Sequence, residues 1–273
     1  MKIIEYFKSE NQAYWLEEIG KSDWSAGTLL YRHLKSGDFK TVCGDTAEVL
    51  LLCKGRELIS FCIYAERDDN GISDPSMTPW AGFVYTFPEH RGKRRIGKLL
   101  EYVYALAKKD GHKRVYISTS DTGLYEKYAC SFLKMMKIAK GGEERVYVMN
   151  ISDQNYTDVF GKVVSGTVDR PSGTVHPDYP DMIYPVNYGF VDGVFAKDGK
   201  EQDVYILGAD HPLKSFTGRV AAVWHRLNDI EDKWIVSVNG KNLTPEEIVE
   251  AIAFQEQYFM GELYLPQTEG GSF

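Results

Sequence analysis

A break in the residue pattern near Asp153 divides this chain into two parts with different periodicities. The segment ERVYVMNISDQNYT, residues 144–157, begins as a strand-like alternation and ends in Ser, Asp, Gln and Asn. Clusters of those polar residues are typical of loops and linkers. A chain of 273 residues is also long for one domain, since roughly 100 to 200 residues is usual. We therefore predict two domains, residues 1–152 and 157–273.

Composition indicates a globular chain without a membrane span. Hydrophobic residues make up 43% and charged residues 26%, and no apolar run approaches the roughly 20 residues that a bilayer span needs. The first residues, MKIIEYFKSENQAYW, contain neither the continuous apolar region nor the small-residue cleavage site of a secretory signal. The formal charge of -7 argues against a general nucleic-acid binder, which needs a cationic face. We expect a cytoplasmic protein that binds neither nucleic acid nor membranes.

Four cysteines, Cys43, Cys53, Cys62 and Cys130, all lie in the first part of the chain. Three of them lie in apolar, strand-like segments, and none has the C-x-x-C spacing of many zinc and redox sites. We expect buried, reduced thiols in a reducing compartment rather than disulfides or zinc ligands.

The first part of the chain predicts a mixed α/β domain. Its N-terminal strand IIEYF precedes two helices between Gln12 and Lys35, in which SAGTLLYRHL has apolar residues at helical spacing. The runs EVLLLCKG and ELISFCIYAER predict a β-hairpin, and TPWAGFVYTF predicts a further strand. The strand VYISTS, a helix LYEKYACSFL and the closing strand RVYVMNI complete the domain. A long helix precedes VYISTS, and its apolar face is formed by Leu99, Leu100, Val103, Leu106 and Ala107.

The junction between TPWAGFVYTF and the long helix reads EHRGKRRIGKLL, with glycines and several cations where the helix begins. A helix N-terminus presents free backbone N–H groups and the positive end of the helix dipole, and both favour a bound anion. The junction therefore suits a phosphate or a pyrophosphate. The alternative is a solvated basic helix start with no ligand, and RGKRRIG alone does not decide between the two.

In its context the junction resembles the acyl-CoA-binding motif of the GNAT acetyltransferases, and STSDTGLYEKYACSFL resembles the second motif of that family. The resemblance covers the whole first part of the chain and implies acetyl-CoA as the acetyl donor. By this resemblance Val84 and Tyr85 pair with the pantetheine arm, and Tyr125 is the general acid for the leaving thiolate. The alternative for Tyr125 is packing against the sheet edge. The implied pyrophosphate loop consists of Arg91, Gly92, Lys93, Arg94, Arg95, Ile96 and Gly97.

Acetyl transfer needs an oriented thioester, a neutral amine and a proton for the leaving sulfur, and these residue types can supply them. The acceptor is then an amine on a small molecule or a peptide, which neither motif identifies. The chain departs from the family pattern at Arg94, where a glycine is usual, and at Ala129-Cys130, where Gly-Phe is usual. The general base is Glu66, Glu89 or a chain of water molecules. The sequence also leaves the oligomeric state open.

From Phe160 onward the chain is rich in β-forming residues, Gly and Pro. Segments such as GKVVSGTVDRP, QDVYILGADHPL, GRVAAVWHRL and KWIVSVNG are short strands separated by turn residues, which predicts a small β-barrel. One helix follows, for which Thr244 is a good N-cap, Pro245 occupies N1 and Glu247 completes a capping box. The whole is an α+β two-domain chain, in which a mixed sheet with helices precedes a small β-barrel with a C-terminal helix.

Acidic residues gather beside the strands of this second part. Magnesium takes oxygen ligands and is usually held by a few carboxylates together with substrate phosphates. The alternative is ordinary turn chemistry, since Asp and Gly fill turns for local reasons. Two groups precede strands, namely Asp198, Glu201 and Asp203 in one and Asp229, Glu231 and Asp232 in the other.

Together with IYPVNYGFVDG, these groups resemble the soluble inorganic pyrophosphatases, whose barrel carries a YPxNYG segment, a D-G-D-x-x-D metal motif and a later acidic turn. The match runs from about residue 163 to residue 259. It implies Mg2+ and pyrophosphate as ligands. The implied metal ligands are Asp198, Asp203, Asp229 and Asp232, with Asp169 as a weaker candidate. The implied phosphate contacts are Tyr188 and Lys233, with His176, Arg170 and Arg226 as substitutes.

The middle aspartate of that metal motif, which helps to activate the attacking water, is Lys200 in this chain. An ammonium cannot bridge metal ions, because two like charges about four Å apart repel by about 4 kcal/mol at an effective dielectric near 20. Lys200 and its neighbour Glu201 are therefore the residues on which hydrolysis depends. Glu201 replaces the lost carboxylate only if the loop shifts its register, since adjacent strand residues face opposite sides.

Three hypotheses follow. The leading one is an N-acetyltransferase fused to a pyrophosphatase-like barrel whose hydrolytic site Lys200 compromises. The first alternative is a bifunctional enzyme that also hydrolyses pyrophosphate or another phosphoanhydride with magnesium. The second alternative is a barrel that serves as a non-catalytic binding or assembly module, since folds are often reused for unrelated tasks.

Overall fold

The computed structural model describes residues 1–68, 71–72, 74–139, 141–152, 154–196, 198–227, 229 and 231–266. The chain forms two compact units, Met1–Ser152 and Asp153–Phe273, each with its own sheet and apolar core. Asp153, near the domain boundary that the sequence predicts, lies outside the described residues. None of the helices in the described ranges combines the length and the hydropathy that crossing a membrane requires.

The N-terminal unit is built on a mixed seven-stranded sheet with the order β1-β2-β3-β4-β5-β7-β6. Only β4 and β5 are parallel neighbours among the described strands of this sheet. The strands are β1 (Lys2–Glu5), β2 (Glu48–Lys54), β3 (Glu57–Ala65), β4 (Trp80–Thr86), β5 (Arg114–Thr119), β6 (Cys130–Lys137) and β7 (Glu143–Asn150). The helices are α1 (Gln12–Gly20), α2 (Ser25–Ser36), α3 (Phe39–Cys43) and α4 (Arg95–Lys109).

The helices bury the central strands of this sheet on both sides. Six consecutive residues of β2 are buried, and the five that follow Glu48 are apolar, as expected of a strand that is buried on both faces. Ile19 of α1, Leu30 of α2 and Phe61 of β3 share one core cluster, while α4 packs its own apolar stripe against β2, β3, β4 and β5. The predicted helix pair, hairpin and long helix are confirmed.

One predicted helix of this unit is wrong. The segment LYEKYACSFL forms a 3-10 turn, Tyr125–Tyr128, followed directly by β6. Ala129 has a φ of 59°, a left-handed conformation that ends the turn, and β6 then pairs with β7 from Cys130 onward. The helical spacing of the apolar residues was therefore overridden by strand pairing with a later part of the chain.

The four cysteines are all buried, and none of them forms a disulfide. Burial raises the pKa of the Cys53 thiol to about 12, because the thiolate would lose its hydration. Burial also raises the pKa of the Cys130 thiol to about 12. These two thiols thus have the inert character of structural cysteines.

The C-terminal unit contains a closed β-barrel, as the sequence predicts. The sheet order is β12-β10-β9-β8-β11-β13, and β12 also pairs with β11, which closes a ring of five strands. β13 adds to the far end of β11 and was not predicted. The strands are β8 (Val163–Arg170), β9 (Asn187–Phe195), β10 (Glu201–Leu207), β11 (Ser215–Arg226), β12 (Asp232–Ser237) and β13 (Gly261–Tyr264).

The predicted C-terminal helix is α5 (Pro245–Glu256), and its capping box is confirmed. The Thr244 hydroxyl accepts a hydrogen bond from the Glu247 backbone at 3.2 Å, and the Glu247 carboxylate accepts one from the Thr244 backbone at 2.9 Å. Ile248 and Ile252 join a core cluster with residues of β10 and β12. This packing places the last residue of α5 over buried polar groups of the barrel.

Candidate active site

A β-bulge in β4 shapes the candidate site of the N-terminal unit. The register of β3 and β4 shifts between Phe61 and Ile63, where Phe83 and Val84 together stand against one residue of β3. Phe83 has a φ of 48°, which residues other than glycine rarely adopt. A bulge leaves one residue out of the ladder and bends the strand. It therefore redirects the end of β4.

β4 and β5 separate beyond the start of β4. Their register contains a single pair, Trp80 opposite Tyr116. Beyond it the two strands border a cleft of about 780 Å³. Open strand edges carry unpaired N–H and C=O groups, so an extended ligand with amide groups can bond to them. The cleft is lined by Asp23, Trp24, Val84, Tyr85, Asp121 and Tyr125, among others.

The loop of residues 91–97 leads into α4. Gly92 has a φ of 74° and Arg94 a φ of 51°, and α4 begins at Arg95. A glycine would adopt the backbone conformation of Arg94 without steric cost, so the departure from the family pattern keeps the loop shape and adds a cation. Arg91, Gly92, Lys93 and Arg94 are exposed, Arg95 is half-buried, and Ile96 and Gly97 are buried.

Hydrogen bonds hold the loop cations beside the helix N-terminus. Arg91 Nε donates to the carbonyl of Thr86 at 2.9 Å. Arg94 Nη2 donates to the carbonyl of Lys127 at 3.2 Å. The loop leads directly into α4, whose N-terminus carries the positive end of the helix dipole. This loop has the charge and the donors that a pyrophosphate group requires.

Tyr125 lies in the turn that follows β5 and lines the same cleft as Val84, Tyr85 and Arg91. The residue is buried, and its ring packs against the ring of Tyr147 with centroids 5.9 Å apart. The structure thus brings four of the candidate residues together at one cleft. It also leaves the packing role of Tyr125 intact, since the ring contributes to the sheet edge.

Neither carboxylate that the sequence suggested as a general base lines this cleft. Glu66 accepts hydrogen bonds from the backbone and hydroxyl of Thr46, at 2.8 and 2.7 Å, and borders a different cavity. Glu89 lies exposed in the turn before the loop. The carboxylates that do line the cleft are Asp23, Asp121 and Glu144.

Asp23 is a candidate site residue that sequence reasoning missed. The Tyr85 hydroxyl donates to Asp23 Oδ1 at 2.6 Å, and Arg91 Nη2 lies 3.5 Å from the same oxygen. Burial, followed by the hydrogen bond to Asp23, raises the pKa of Tyr85. Asp23 precedes Tyr85 by 62 residues and lies between two helices without a motif of its own. No local spacing could therefore indicate it.

In the C-terminal unit, the acidic groups bond to cations of the same chain. β10 and β12 are parallel neighbours with Val204 opposite Trp234, which sets Asp203 beside Lys233. The buried ammonium of Lys233 donates to Asp203 and, at 2.5 Å, to Glu231. Lys233, predicted to contact phosphate, therefore binds one of the predicted metal ligands.

The acidic turn before β12 is engaged in the same way. The guanidinium of Arg226 donates to Asp229 at 3.1 Å. The imidazole Nδ1 of His225 lies 2.6 Å from Asp232 Oδ1, and both residues are buried. The oxygens that were predicted to bind metal are thus bonded to basic side chains.

Lys200 takes no part in the ion pairs of Lys233, Arg226 and His225 described above. Its side chain is 82% exposed, with Nζ 3.6 Å from Asp198 Oδ2, and Glu201 accepts a hydrogen bond from the Gly193 backbone at 3.2 Å. Across the residues described, no group of three or more His, Cys, Asp or Glu side chains is placed to hold a metal ion. A basic side chain lies beside each of the predicted magnesium ligands, namely Asp198, Asp203, Asp229 and Asp232.

The remaining phosphate candidates contribute to packing or to local pairs. Tyr188 is buried, and burial raises its pKa well above the usual value. The ring of His176 stacks on Tyr184 with centroids 5.9 Å apart, and Arg170 pairs with Asp169 at 2.7 Å. These contacts give each side chain a structural role that the sequence did not predict.

No protein-family model matches the sequence, and no curated protein matches it. Among solved structures, an aminoglycoside 6'-acetyltransferase type Ii is 13% identical, with a TM-score of 0.44 over 57% of this chain and 100% of its own. An aminoglycoside 6'-N-acetyltransferase complexed with coenzyme A is 11% identical, with a TM-score of 0.41 over 57% of this chain and 99% of its own. An inorganic pyrophosphatase from Neisseria gonorrhoeae is 18% identical, with a TM-score of 0.29 over 38% of this chain and 81% of its own.

These matches concern folds, and at such identities and TM-scores no activity follows from them. The acetyltransferase structures match the N-terminal part of the chain, and the pyrophosphatase structures match about 38% of the chain. Structures of both kinds that the sequence resembles are thus among the solved structures that match parts of this chain.

Proposed function

We propose that the N-terminal unit transfers an acetyl group from acetyl-CoA to an amine on a small molecule or a peptide. The observation that supports this best is the separation of β4 and β5 beside the cationic loop at α4. In coenzyme A a pyrophosphate joins the adenosine to an arm with two amide groups that ends in the thiol. An open strand edge next to an anion site matches both features in one ligand.

In the proposed reaction the amine nitrogen bonds to the thioester carbonyl carbon and the carbon–sulfur bond breaks. The nitrogen loses one proton to water, and the sulfur gains one from the hydroxyl of Tyr125, which water then reprotonates. A backbone N–H at the open edge of β4 would stabilise the negative charge that develops on the carbonyl oxygen. The most direct test is the release of free thiol from acetyl-CoA by the full chain, across a library of amines.

We expect the double change Arg91→Glu and Arg95→Glu to weaken CoA binding by at least about tenfold for each arginine lost. A hydrogen bond to a charged group contributes about 1.5–3 kcal/mol, and the new carboxylates would also repel the phosphates. Calorimetric titration of the full chain with CoA and with pantetheine measures both affinities. Pantetheine lacks the pyrophosphate, so its affinity should change little.

The matched control for this prediction is Arg114→Glu. Arg114 is an exposed arginine at the start of β5, whereas the cleft lies at the end of that strand. This variant should bind CoA as the unchanged protein does. Equal losses for CoA and pantetheine in the double variant would show that the loop does not hold the pyrophosphate.

We further propose that the barrel is a non-catalytic module that does not hydrolyse pyrophosphate. The supporting observation is that the buried ammonium of Lys233 pairs with Asp203 and Glu231. A positive charge at that position repels a magnesium ion that would bind the same carboxylates. The carboxylates do not fit magnesium while these pairs persist. A bifunctional enzyme is the competing hypothesis, and it requires a metal site elsewhere in the unit.

We expect neither the unchanged protein nor Lys200→Asp to release phosphate from pyrophosphate with magnesium. Lys200 is largely exposed, so its replacement leaves the Lys233 pairs unaltered. A colorimetric phosphate assay, with an authentic inorganic pyrophosphatase as the positive control, measures the result. Hydrolysis by the unchanged protein would establish the bifunctional enzyme, and hydrolysis by Lys200→Asp alone would show that only the charge at that position silences the site.

A further inference from the structure

Asp23 and Trp24 lie between α1 and α2 and contact Tyr85 of β4 at the cleft. Trp24 and Tyr85 have nearly parallel rings, 6° apart in plane, with centroids separated by 5.9 Å. The Tyr85 hydroxyl donates to Asp23 Oδ1 at 2.6 Å, and the Asp23 backbone N–H lies 3.3 Å from the same hydroxyl. A carboxylate held by a tyrosine hydroxyl beside an aromatic face is a suitable site for an organic cation.

A cation of the chain already occupies that position. Arg91 Nη2 lies 3.5 Å from Asp23 Oδ1, and the Arg91 guanidinium lies 5.5 Å from the centre of the Tyr85 ring. Arg91 is also the first residue of the loop proposed to bind the CoA pyrophosphate. The same guanidinium therefore contacts Asp23 and Tyr85 and belongs to the proposed CoA-binding loop.

We propose that Asp23, Trp24 and Tyr85 form the subsite for a positively charged group of the acceptor, and that Arg91 occupies this subsite until CoA binds. This inference rests on the proposed acetyltransferase function. The acceptor is then an amine that carries a second positive charge, an ammonium or a guanidinium, besides the nitrogen that reacts. The phosphates of CoA attract Arg91, and its departure exposes the Asp23 carboxylate and the face of Tyr85.

The exposure of the two partners makes this exchange feasible. The side chains of Asp23 and Arg91 are 62% and 53% exposed, so neither is locked by packing. An exposed ion pair is weak, and a pyrophosphate carrying more charge can replace the carboxylate as the partner of Arg91. Two consequences follow. CoA must compete with Asp23 for Arg91, and the acceptor must compete with Arg91 for Asp23.

The first consequence is tested with CoA alone, by a double-mutant cycle on the full chain. Asp23→Asn keeps an acceptor for the Tyr85 hydroxyl but removes the charge, so CoA should bind about three- to fivefold more tightly, the scale of an exposed ion pair. In an Arg91→Gln background the same change should alter CoA affinity less than twofold, because the arginine that pairs with Asp23 is no longer present.

A carboxylate near an anionic ligand also weakens binding by simple repulsion, and the matched control isolates that effect. Asp121→Asn removes another carboxylate of the same cleft, and its effect on CoA affinity should be the same with Arg91 or with Gln at position 91. An Asp23→Asn effect of equal size in both backgrounds would overturn the proposal while leaving the acetyltransferase function intact. An unchanged protein that fails to bind CoA would remove both.

The second consequence is tested by thiol release with 1,5-diaminopentane and with pentylamine as matched acceptors. The diamine carries the second charge, so its kcat/KM should exceed that of pentylamine by at least about tenfold, in line with one charge-assisted contact. Asp23→Asn should abolish this preference, mainly through the KM of the diamine. Equal use of both amines by the unchanged protein would contradict the proposed acceptor class.

Discussion

Replacement of Tyr125 by phenylalanine should lower the turnover of acetyl transfer by about 10²- to 10⁴-fold, the usual contribution of a general acid. The affinity for CoA should remain nearly the same, because the proton is needed only in the transition state. Phenylalanine keeps the ring that packs against Tyr147, so the fold of the sheet edge is retained. Single-turnover measurement of thiol release, with binding measured separately, distinguishes the two effects.

Tyr128→Phe is the matched control for this prediction. Tyr128 lies in the same 3-10 turn and is buried to the same degree, but it packs under the Arg94 guanidinium and against Gly97. Its hydroxyl has no proposed part in the reaction, so turnover should change little. If Tyr125→Phe reacts at the rate of the unchanged protein when chemistry is rate-limiting, Tyr125 has only the packing role.

The order of elements in the N-terminal unit could be predicted because most of the determinants are local. The apolar stripe of α4, the glycines of its loop and the buried run of β2 all lie within short windows. The turn at Tyr125–Tyr128 could not be predicted in the same way. Its apolar spacing suits a helix, and only the pairing of β6 with β7 and the conformation of Ala129 decide against it.

In the candidate sites, too, residues of one continuous segment could be predicted, whereas contacts between distant positions could not. The loop of residues 91–97 is a continuous segment, and sequence reasoning identified it. The Asp23–Tyr85 contact joins positions 62 residues apart, and no alternation or motif connects them. The sequence suggests Lys233 as a phosphate contact, but it could not indicate the bond of Lys233 to Asp203, 30 residues away, which depends on how two parallel strands align. The residue type showed that Lys233 would bind an anionic group, but the register of β10 and β12 determined that this group is Asp203.

Replacement of Glu256 by glutamine should destabilise the C-terminal unit by about 3–5 kcal/mol, the usual cost of leaving one partner of a buried ion pair uncompensated. Arg226 and Glu256 are each 3% exposed, and the guanidinium donates to both carboxylate oxygens at 2.9 and 2.7 Å. Burial opposes the charge on Arg226, but Glu256 more than offsets this and raises the pKa of Arg226 above its usual value.

We expect a loss of stability near the lower end of this 3–5 kcal/mol range, about 3 kcal/mol, because Arg226 keeps other carboxylate partners. Asp229 and Glu231 keep carboxylate oxygens 3.1 and 3.6 Å from Arg226. The free energy of unfolding of this unit can be measured in the full chain by hydrogen exchange of the β10 and β12 amides. Glu250→Gln, an exposed change on the same helix, is the matched control and should stay within about 0.5 kcal/mol.

Joint replacement of both partners separates charge from packing. Arg226→Met with Glu256→Met removes the buried charges together, so much of the stability lost in Glu256→Gln should return. The Tyr205 hydroxyl, which donates to Glu256 at 2.5 Å, retains Gln255 as an acceptor at 3.0 Å. A cost below about 1 kcal/mol for Glu256→Gln would mean that the carboxylates of the acidic turn alone compensate Arg226. Those oxygens would then be engaged by the guanidinium, so either outcome shows how strongly the acidic turn interacts with Arg226.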